Sequence, residues 1–362
     1  MKTRAHFIAL IACIIVSCGP TIDTPTLPPV DIASATARAT SVPPTATLTP
    51  MPLPSLTPTP SIGSELIMGP NKEVTVFVPA GEFLMGSNEG KPNSAPAHTV
   101  YLDSFWIHKI EVTNLHYLRC VDAGGCTAPN KKALPASENQ ISEPGTRSQD
   151  SPVLIMARAW DNSFYFDYPV INVTWEQAGE YCKWAGGRLP TEAEWEKTAR
   201  GTDGRPFPWG TEEPYIVHRS VIDGSIIPNS TPVVIVWSRP QQRKGRPSTA
   251  NNDAYAVFFQ LNYLSKYEAP QEGGTYPDGI SPYGALDMAG NVWEYVSDWY
   301  DKTFYANSPS KNPTGPESGT LHIVRGGSWW SDNTTIHTYD RVNTTANGVG
   351  IFTVGFRCAF NP

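Results

Sequence analysis

The stretch YPVINVTWEQAGEYCKWAGGRLPTEAEWEKTARG, residues 168–201, contains two helix signals in succession. In the first, Thr174 and Gln177 have the spacing of a capping box, and Gly186 is placed to end the helix. The apolar residues of this segment recur at helical spacing and form one face: Ala178, Tyr181, Cys182 and Ala185. The second signal, from 191 to 201, repeats the arrangement. Two short helices, the first with a clear apolar face, are therefore predicted.

The sequence on either side of these helices favours short strands and turns. TVFVPAGEFLMGS, residues 75–87, alternates apolar residues and breaks at Gly81, which predicts a β-hairpin. Thr113 is placed to cap another short helix. The segments 127–168 and 211–271 show little periodicity, so we interpret the first as loop and expect an insertion in the second. Further short strands and glycine-rich turns are predicted toward the C-terminus.

The overall composition narrows the class of protein. The chain has 362 residues, with 27 basic and 34 acidic side chains and a net charge of −7. No basic stripe is present to neutralise phosphates, so we do not expect nucleic acid as a partner. The length suits one large domain or two small ones, and 11 tryptophans favour an aromatic core.

The N-terminal segment is typical of an export signal. Lys2 and Arg4 precede FIALIACIIV, residues 7–16, an apolar run shorter than the ~20 residues that a membrane-spanning helix needs. The following IVSC ends at Cys18 and resembles a bacterial lipobox. We therefore predict that residues 1–18 are a lipoprotein signal peptide, that Cys18 is lipidated, and that the protein is exported and held at the cell membrane. An ordinary signal peptide or an uncleaved anchor is the alternative.

The next segment is rich in proline and threonine. Residues 19–60 contain 11 prolines and 10 threonines in 42 positions, and only three charged residues. Such a sequence cannot bury enough apolar surface to offset its ordering entropy. We predict a disordered stalk over 19–64, extended by ~3 Å per residue, which carries a folded domain over 65–362.

Four cysteines lie within the predicted domain, which in an exported protein favours disulfides. Cys120 and Cys126 flank VDAGG, whose glycines allow a tight turn, so a local bridge is plausible. Cys182 and Cys358 would then form the second bridge. A zinc site is the alternative, although no CxxC or histidine spacing supports it.

Several motifs together resemble one family. In order along the chain, from about residue 74 to the C-terminus, they are VPAGEFLMGS, HTVYLDSFWIHKIEVTN, the 168–201 stretch, PFPWG, YGALDMAGNVWEYVSDWY, VRGGSWW and GFRCAF. This order is similar to that of the sulfatase-modifying-factor family, the formylglycine-generating enzymes. The resemblance implies an α+β fold of the irregular C-type-lectin-like type, with few helices, short strands and much loop. It also implies a disulfide between Cys182 and Cys358.

The resemblance further implies structural calcium in the turn MAGNVWEY. The matching ligands are the side chains of Asp287 and Glu294 and the backbone carbonyls of Gly290 and Val292. Calcium is a hard cation that prefers such oxygen ligands. The alternative is that the two carboxylates only cap turns. A second calcium site of the family would map near Asn262 and Tyr263, where the insertion makes the alignment uncertain.

The catalytic positions of the family differ in this chain. The enzymes oxidise a substrate cysteine with dioxygen and a copper ion held by two cysteines just after RGGS. Those positions fall on Ser331 and Ile336. Copper(I) prefers thiolates, so no copper and no formylglycine chemistry are expected here.

The binding groove of the family is the remaining candidate site. The resemblance places Trp293, Ser328, Trp329 and Trp330 at the walls and floor of this groove. Further residues are polar or amphipathic and are expected to line the exposed side, where they would form hydrogen bonds to a ligand: Ser331, Asp332, Asn333, Tyr339, Asp340 and Arg341. The alternative makes the tryptophans core residues and Arg325 a structural residue paired with a buried carboxylate.

Three functions are compatible with these observations. The first is a non-catalytic, surface-anchored module that binds a peptide, protein or glycan. The second is an enzyme of altered oxidative chemistry, although the histidines are scattered in the sequence and do not predict an iron site. The third is a lectin-like receptor diversified by a retroelement, since the run from 332 to 347 is rich in Asn, Thr, Asp and Tyr.

Overall fold

Three short helices form where the sequence predicts them. The computed structural model describes residues 60–129, 160–218, 221–222, 225–226, 234–237, 254–257, 270–331, 334–345 and 351–362. Helix α1 spans Asn114–Asp122 and is capped by Thr113, whose hydroxyl accepts the His116 N–H. Helices α2, Trp175–Trp184, and α3, Glu192–Arg200, both begin with the predicted capping boxes.

The strands are short, and each sheet has at most four. In the described residues they are β1 Glu65–Met68, β2 Glu73–Val78, β3 Gly81–Met85, β4 His98–Leu102, β5 Phe105–His108, β6 Tyr215–His218, β7 Val221–Ile222, β8 Ser225–Ile226, β9 Val234–Trp237, β10 Ala254–Val257, β11 Trp293–Trp299, β12 Leu321–Arg325, β13 Val342–Thr345, β14 Val354–Phe356 and β15 Ala359–Phe360. Two four-stranded sheets carry the domain, in the orders β1-β2-β5-β15 and β13-β12-β11-β14. This mixture of short strands, three helices and long irregular segments confirms the predicted α+β class.

The predicted hairpin over residues 75–87 is wrong in its pairing. Strands β2 and β3 both form and meet at the expected turn, but β2 pairs with β1 and β5, whereas β3 pairs with β4. The physical reason lies in α3, where the buried Lys197 donates from Nζ to the carbonyl oxygens of Pro79 and Gly81, at 2.8 and 2.9 Å. The chain therefore turns around this ammonium group and enters a second sheet.

Helix α3 lies at the centre of the domain. All nine of its residues are buried, and it contacts β3, β4, β11 and β12. Its Glu and Arg side chains are thus enclosed, so they require partners inside the protein. These partners come from the segments that carry the candidate site.

Both predicted disulfides are present. Cys120 pairs with Cys126, and Cys182 in α2 pairs with Cys358 next to β15. All four cysteines of the described residues are therefore consumed, which removes the zinc alternative. In the part of the chain that the structure describes, none of the helices has the length and apolar character needed to cross a membrane. The predicted signal peptide with Cys18, nearly all of the stalk and most of the insertion lie outside the described residues.

Candidate functional site

The RGGSWW motif follows the end of β12. Gly326 and Gly327 have φ angles of +92° and +81°, which other residues rarely adopt. A Cβ on Gly327 would also lie 2.6 Å from Ile336 Cγ2. Glycine is therefore required here because the turn packs directly against the segment that follows it.

Arg325 is a structural residue. Its Nη2 donates to Glu196 Oε2 and to the Thr338 carbonyl, both at 2.7 Å, and its Nη1 donates to Glu192 Oε1 at 3.2 Å. The side chain is fully buried. This confirms the interpretation in which Arg325 pairs with buried carboxylates, and it removes Arg325 from the ligand surface.

The two positions to which the resemblance assigns copper ligands make other interactions here. The Ser331 hydroxyl accepts the Ser328 N–H at 2.9 Å, and both serines are buried. Ile336 is fully buried against Gly327. The Ser331 hydroxyl is thus engaged by the Ser328 amide, and the Ile336 side chain lies against Gly327.

The two tryptophans of the motif have different environments. Trp329 is fully buried, and its backbone N–H donates to the Asn291 carbonyl, so it is a core residue. Trp330 is 50% exposed and meets Trp329 edge to face. Trp293 is half-buried and packs on the core. Trp330 is therefore the tryptophan of this group that offers most surface to a ligand.

The expectation that Asp340 and Arg341 face solvent is wrong. Arg341 is 1% exposed, and its Nε and Nη2 donate to the two oxygens of Glu192 at 2.6 and 2.9 Å. Asp340 is equally buried and accepts from His337. Both side chains are buried because each finds an oppositely charged or hydrogen-bonding partner, which their polar character in the sequence does not reveal. Ser331 is also largely enclosed, and Asp332 and Asn333 lie outside the described residues.

An aromatic stack borders this region, and sequence analysis missed it. His337 stacks on Phe207 and on Tyr339, with ring centroids 4.9 Å apart in each case, and Phe207 stacks on Trp209. His337 Nδ1 lies 2.9 Å from Asp340 Oδ2, so the ring is held on both faces and at one nitrogen. Tyr339 and His337 are half-buried, so each ring is partly accessible. The PFPWG motif was the available signal, since it supplies two of these rings.

The turn predicted to bind calcium contains several buried carboxylates. Asp287 and Glu294 are buried, and a third carboxylate, Glu111, lies beside Asp287. Burial raises the pKa of Glu111, and the neighbouring Asp287 carboxylate raises it further. Burial also raises the pKa of Asp287. Buried like charges in contact are compensated in proteins by a cation or by a proton.

The donor set fits a hard cation. Glu111 Oε2 is a buried oxygen without a hydrogen-bond donor among the described residues, and carboxylates and carbonyls are the ligands that calcium prefers. The described residues contain no group of three or more His, Cys, Asp or Glu side chains arranged to hold a metal ion. The expected site does not need such a group, because it combines two carboxylates with backbone carbonyls. Asn262 and Tyr263, of the second expected site, lie outside the described residues.

Comparison with known proteins gives consistent results. The sequence model of the family described as sulfatase-modifying factor enzyme 1-like domain matches residues 68–362. A formylglycine-generating enzyme of Streptomyces coelicolor is 32% identical over 315 residues, which cover 78% of this chain and 88% of that enzyme.

Two solved structures share the fold. PvdO from Pseudomonas aeruginosa has a TM-score of 0.56 and 21% identity, with 84% of this chain and 100% of that one covered. Treponema denticola variable protein 1 has a TM-score of 0.51 and 20% identity, with 83% and 99% covered. At these identities the likeness shows the fold alone, and it confirms the predicted lectin-like architecture.

Proposed function

The chain belongs to the family of sulfatase-modifying factor enzyme 1-like domains, and we propose that it is a non-catalytic member that binds a ligand outside the cell. The observation that carries this proposal is what occupies the two positions to which the family resemblance assigns copper ligands. Ser331 is engaged with Ser328, and Ile336 is packed under Gly327. A hydroxyl and an aliphatic side chain do not hold copper(I), and the described cysteines are all in disulfides.

The exposed aromatic surface supports ligand binding. Trp330 presents half of its indole, and the stack of His337 and Tyr339 offers further ring edges with polar atoms. Aromatic side chains with a few fixed polar groups are typical of sites for peptides and glycans. We therefore place the ligand surface at Trp330, His337 and Tyr339, and no longer at Trp329 or Arg341.

Anchoring at the membrane is part of the proposal. The lipobox-like sequence at Cys18 and the proline-rich stalk motivate it. Metabolic labelling with a palmitate analogue, followed by fractionation, tests it. We expect label in the wild-type protein and none in Cys18→Ser, which should also leave the membrane fraction. Equal labelling of both proteins would contradict lipidation at Cys18.

Calcium is the proposed structural cofactor. Asp287 would hold it together with carbonyl oxygens of the turn, and when bound the ion would compensate buried negative charge there. The support is the excess of buried carboxylates around Asp287.

Loss of catalysis is tested with a cysteine-containing sulfatase peptide. We expect the purified domain to bind no stoichiometric copper(I) in competition with a chelator, and mass spectrometry to find no formylglycine. The Streptomyces coelicolor enzyme serves as the positive control. The double variant Ser331→Cys/Ile336→Cys is the matched gain-of-site control, and we expect it to bind copper(I). Formylglycine formation by the wild-type domain at rates like those of the control enzyme would contradict the proposal and make the chain a catalytic member of the family.

Ligand binding is tested on a glycan array and a peptide library. For any ligand found, we expect Trp330→Ala to weaken binding at least tenfold, since it removes the largest exposed contact. Phe164→Ala is the matched control, because Phe164 is an aromatic residue of another segment that is 73% exposed. Equal effects of both substitutions would place the ligand elsewhere.

A further inference from the structure

Glu111 has no cationic partner, although Arg357 lies close to it. Every N–H of the Arg357 guanidinium is already used. Nε and Nη2 donate to the two oxygens of Glu294 at 2.6 and 2.7 Å. The remaining three N–H groups donate to backbone carbonyls, of His108, Lys109 and Leu286. No guanidinium hydrogen is left for a second carboxylate.

Glu294 is accordingly committed to an ion pair. Its Oε2 also accepts the indole N–H of Trp195 at 2.9 Å, so three donors bind its two oxygens. A buried, bidentate arginine–carboxylate pair of this kind is costly to open. Glu294 is therefore poorly available as a ligand, although the family resemblance places one there.

Glu111 and Asp287 together accept very few hydrogen bonds. Glu111 Oε1 accepts from Asn291 Nδ2 at 3.0 Å, and Asp287 Oδ2 accepts the Gly274 N–H at 2.6 Å. Glu111 Oε2 accepts none within the described residues. Glu111 is 1% exposed and Asp287 5% exposed, and the two carboxyl groups are in contact. The carboxyl groups of Glu111 and Asp287 therefore place free oxygen lone pairs and uncompensated negative charge next to each other.

We propose that Glu111 supplies the second carboxylate of the calcium site, together with Asp287, while Glu294 remains the partner of Arg357. The chemistry is that of a hard divalent cation, which takes oxygen ligands and gains most from two carboxylates that no other cation neutralises. This inference rests on the proposal that the domain binds calcium. It differs from that proposal in the residue that completes the site.

Calcium titration of the full chain tests the assignment. Calorimetry and the shift of the thermal midpoint with Ca²⁺ are measured for wild type, Glu111→Gln and Glu73→Gln, with Mg²⁺ as a second probe. We expect Glu111→Gln to weaken Ca²⁺ binding at least tenfold and to reduce the thermal shift. Glu73→Gln is the matched control, because it removes another buried carboxylate and should leave the affinity unchanged.

Each outcome decides one of the two proposals. Wild-type affinity in Glu111→Gln overturns the role of Glu111 and leaves the calcium proposal standing. Absence of any Ca²⁺ binding or thermal shift in the wild-type chain overturns both, since a shared proton would then compensate the pair. If Glu111→Gln does not fold, Asp287→Asn and Glu111→Asp are titrated instead. Unchanged affinity in Glu111→Asp, whose shorter side chain withdraws the carboxylate from the ion, overturns the role of Glu111. Unchanged affinity in Asp287→Asn overturns the calcium site at this turn.

Discussion

Two buried clusters of charged residues differ in how their carboxylates are compensated. The arginine cluster consists of Glu192, Glu196, Arg200, Arg325 and Arg341. The calcium cluster consists of Glu111, Asp287, Glu294 and Arg357. The first sets three guanidinium groups against two carboxylates, and the second sets one against three. Even if Asp298, which accepts the Glu192 N–H, is counted with the arginine cluster, that cluster stays balanced.

The comparison shows that burial alone does not determine whether a cluster of charged residues needs a counter-ion from outside the protein. Glu192 and Glu196 are four residues apart on α3 and thus share a face, where Arg200 extends the same series. This face meets Arg325 and Arg341, so the arginine cluster is complete within the protein. The calcium cluster has two more carboxylates than guanidinium groups, and this is the charge that the proposed calcium ion would compensate.

The largest effect is expected from breaking the arginine cluster. Arg325→Met leaves the carboxylates of Glu192 and Glu196 buried with one guanidinium less. Removing one partner of a buried ion pair costs about 3–5 kcal/mol, and urea unfolding measures the loss. Lys311→Met is the control, because Lys311 pairs with Asp103 at the surface and should cost about 1 kcal/mol or less. Equal losses in the two variants would contradict the comparison.

Glu196→Gln tests the same cluster from the carboxylate side. Glu196 accepts from the Gly86 N–H, from Arg200 Nη1 and from Arg325 Nη2. An amide replaces one acceptor oxygen by a donor, so we expect a loss of about 2–3 kcal/mol in urea unfolding. The exposed Glu82→Gln should change the free energy of unfolding by less than about 0.5 kcal/mol.

A third buried cluster adds a dependence on pH. Glu73 Oε1 lies 3.3 Å from His116 Nδ1, Glu73 Oε2 lies 3.7 Å from His108 Nε2, and Tyr181 donates to Glu73. Burial lowers the pKa of His108 to about 3 and that of His116 to about 4, with Arg119 also lowering the latter. Burial raises the pKa of Glu73 to about 7.

The signs of these shifts oppose one another. The ordinary pKa of histidine is 6.5. As the pH falls below it, both histidines become protonated in the unfolded chain, whereas His108 and His116 stay neutral in the folded chain, so stability falls. Between pH 7 and 4.5, folded Glu73 takes up a proton that the unfolded chain does not, so this term adds stability. Two histidines outweigh one carboxyl group, and we expect a net loss on the order of 2 kcal/mol by about pH 4.5.

Two substitutions separate the opposing contributions. His116→Gln should make the fall in stability on acidification shallower, because it removes one of the two histidines that stay neutral in the folded state. Glu73→Gln should make it steeper, because the compensating proton uptake is lost. Urea midpoints between pH 7.5 and 4.5 measure both, and the same slope in the two variants would assign the acid response to other groups.

The sequence could predict what depends on local spacing or on a family motif. The capping boxes of α2 and α3 need only Thr174 and Thr191 with their partners three residues on. The bridge from Cys182 to Cys358 followed from counting cysteines and from the motifs that carry them. The motif order also identified the lectin-like fold, which no hydrophobic period would have given.

The remaining features depend on contacts between distant segments. Glu111 and Asp287 are 176 positions apart in the chain, so nothing local marks them as neighbours. Arg341 is buried because it pairs with Glu192, which lies 149 positions away. The sequence around Arg341 does not show this partner, so its charge alone predicts a surface position. The stack of Phe207 on His337 arises in the same way. Charge and aromaticity are visible in a sequence, whereas the residues that satisfy them are not.

The smallest effect on stability should come from Glu111→Gln without calcium. In excess EDTA at pH 7.5, the substitution removes one of two carboxylates that lack a counter-ion, so it relieves repulsion while it loses one acceptor. We expect the free energy of unfolding to stay within about 1 kcal/mol of wild type, or to rise. A loss as large as that of Glu196→Gln would mean that Glu111 is compensated within the protein after all. With saturating Ca²⁺ the order should reverse, because wild type then gains the binding free energy that the variant has lost.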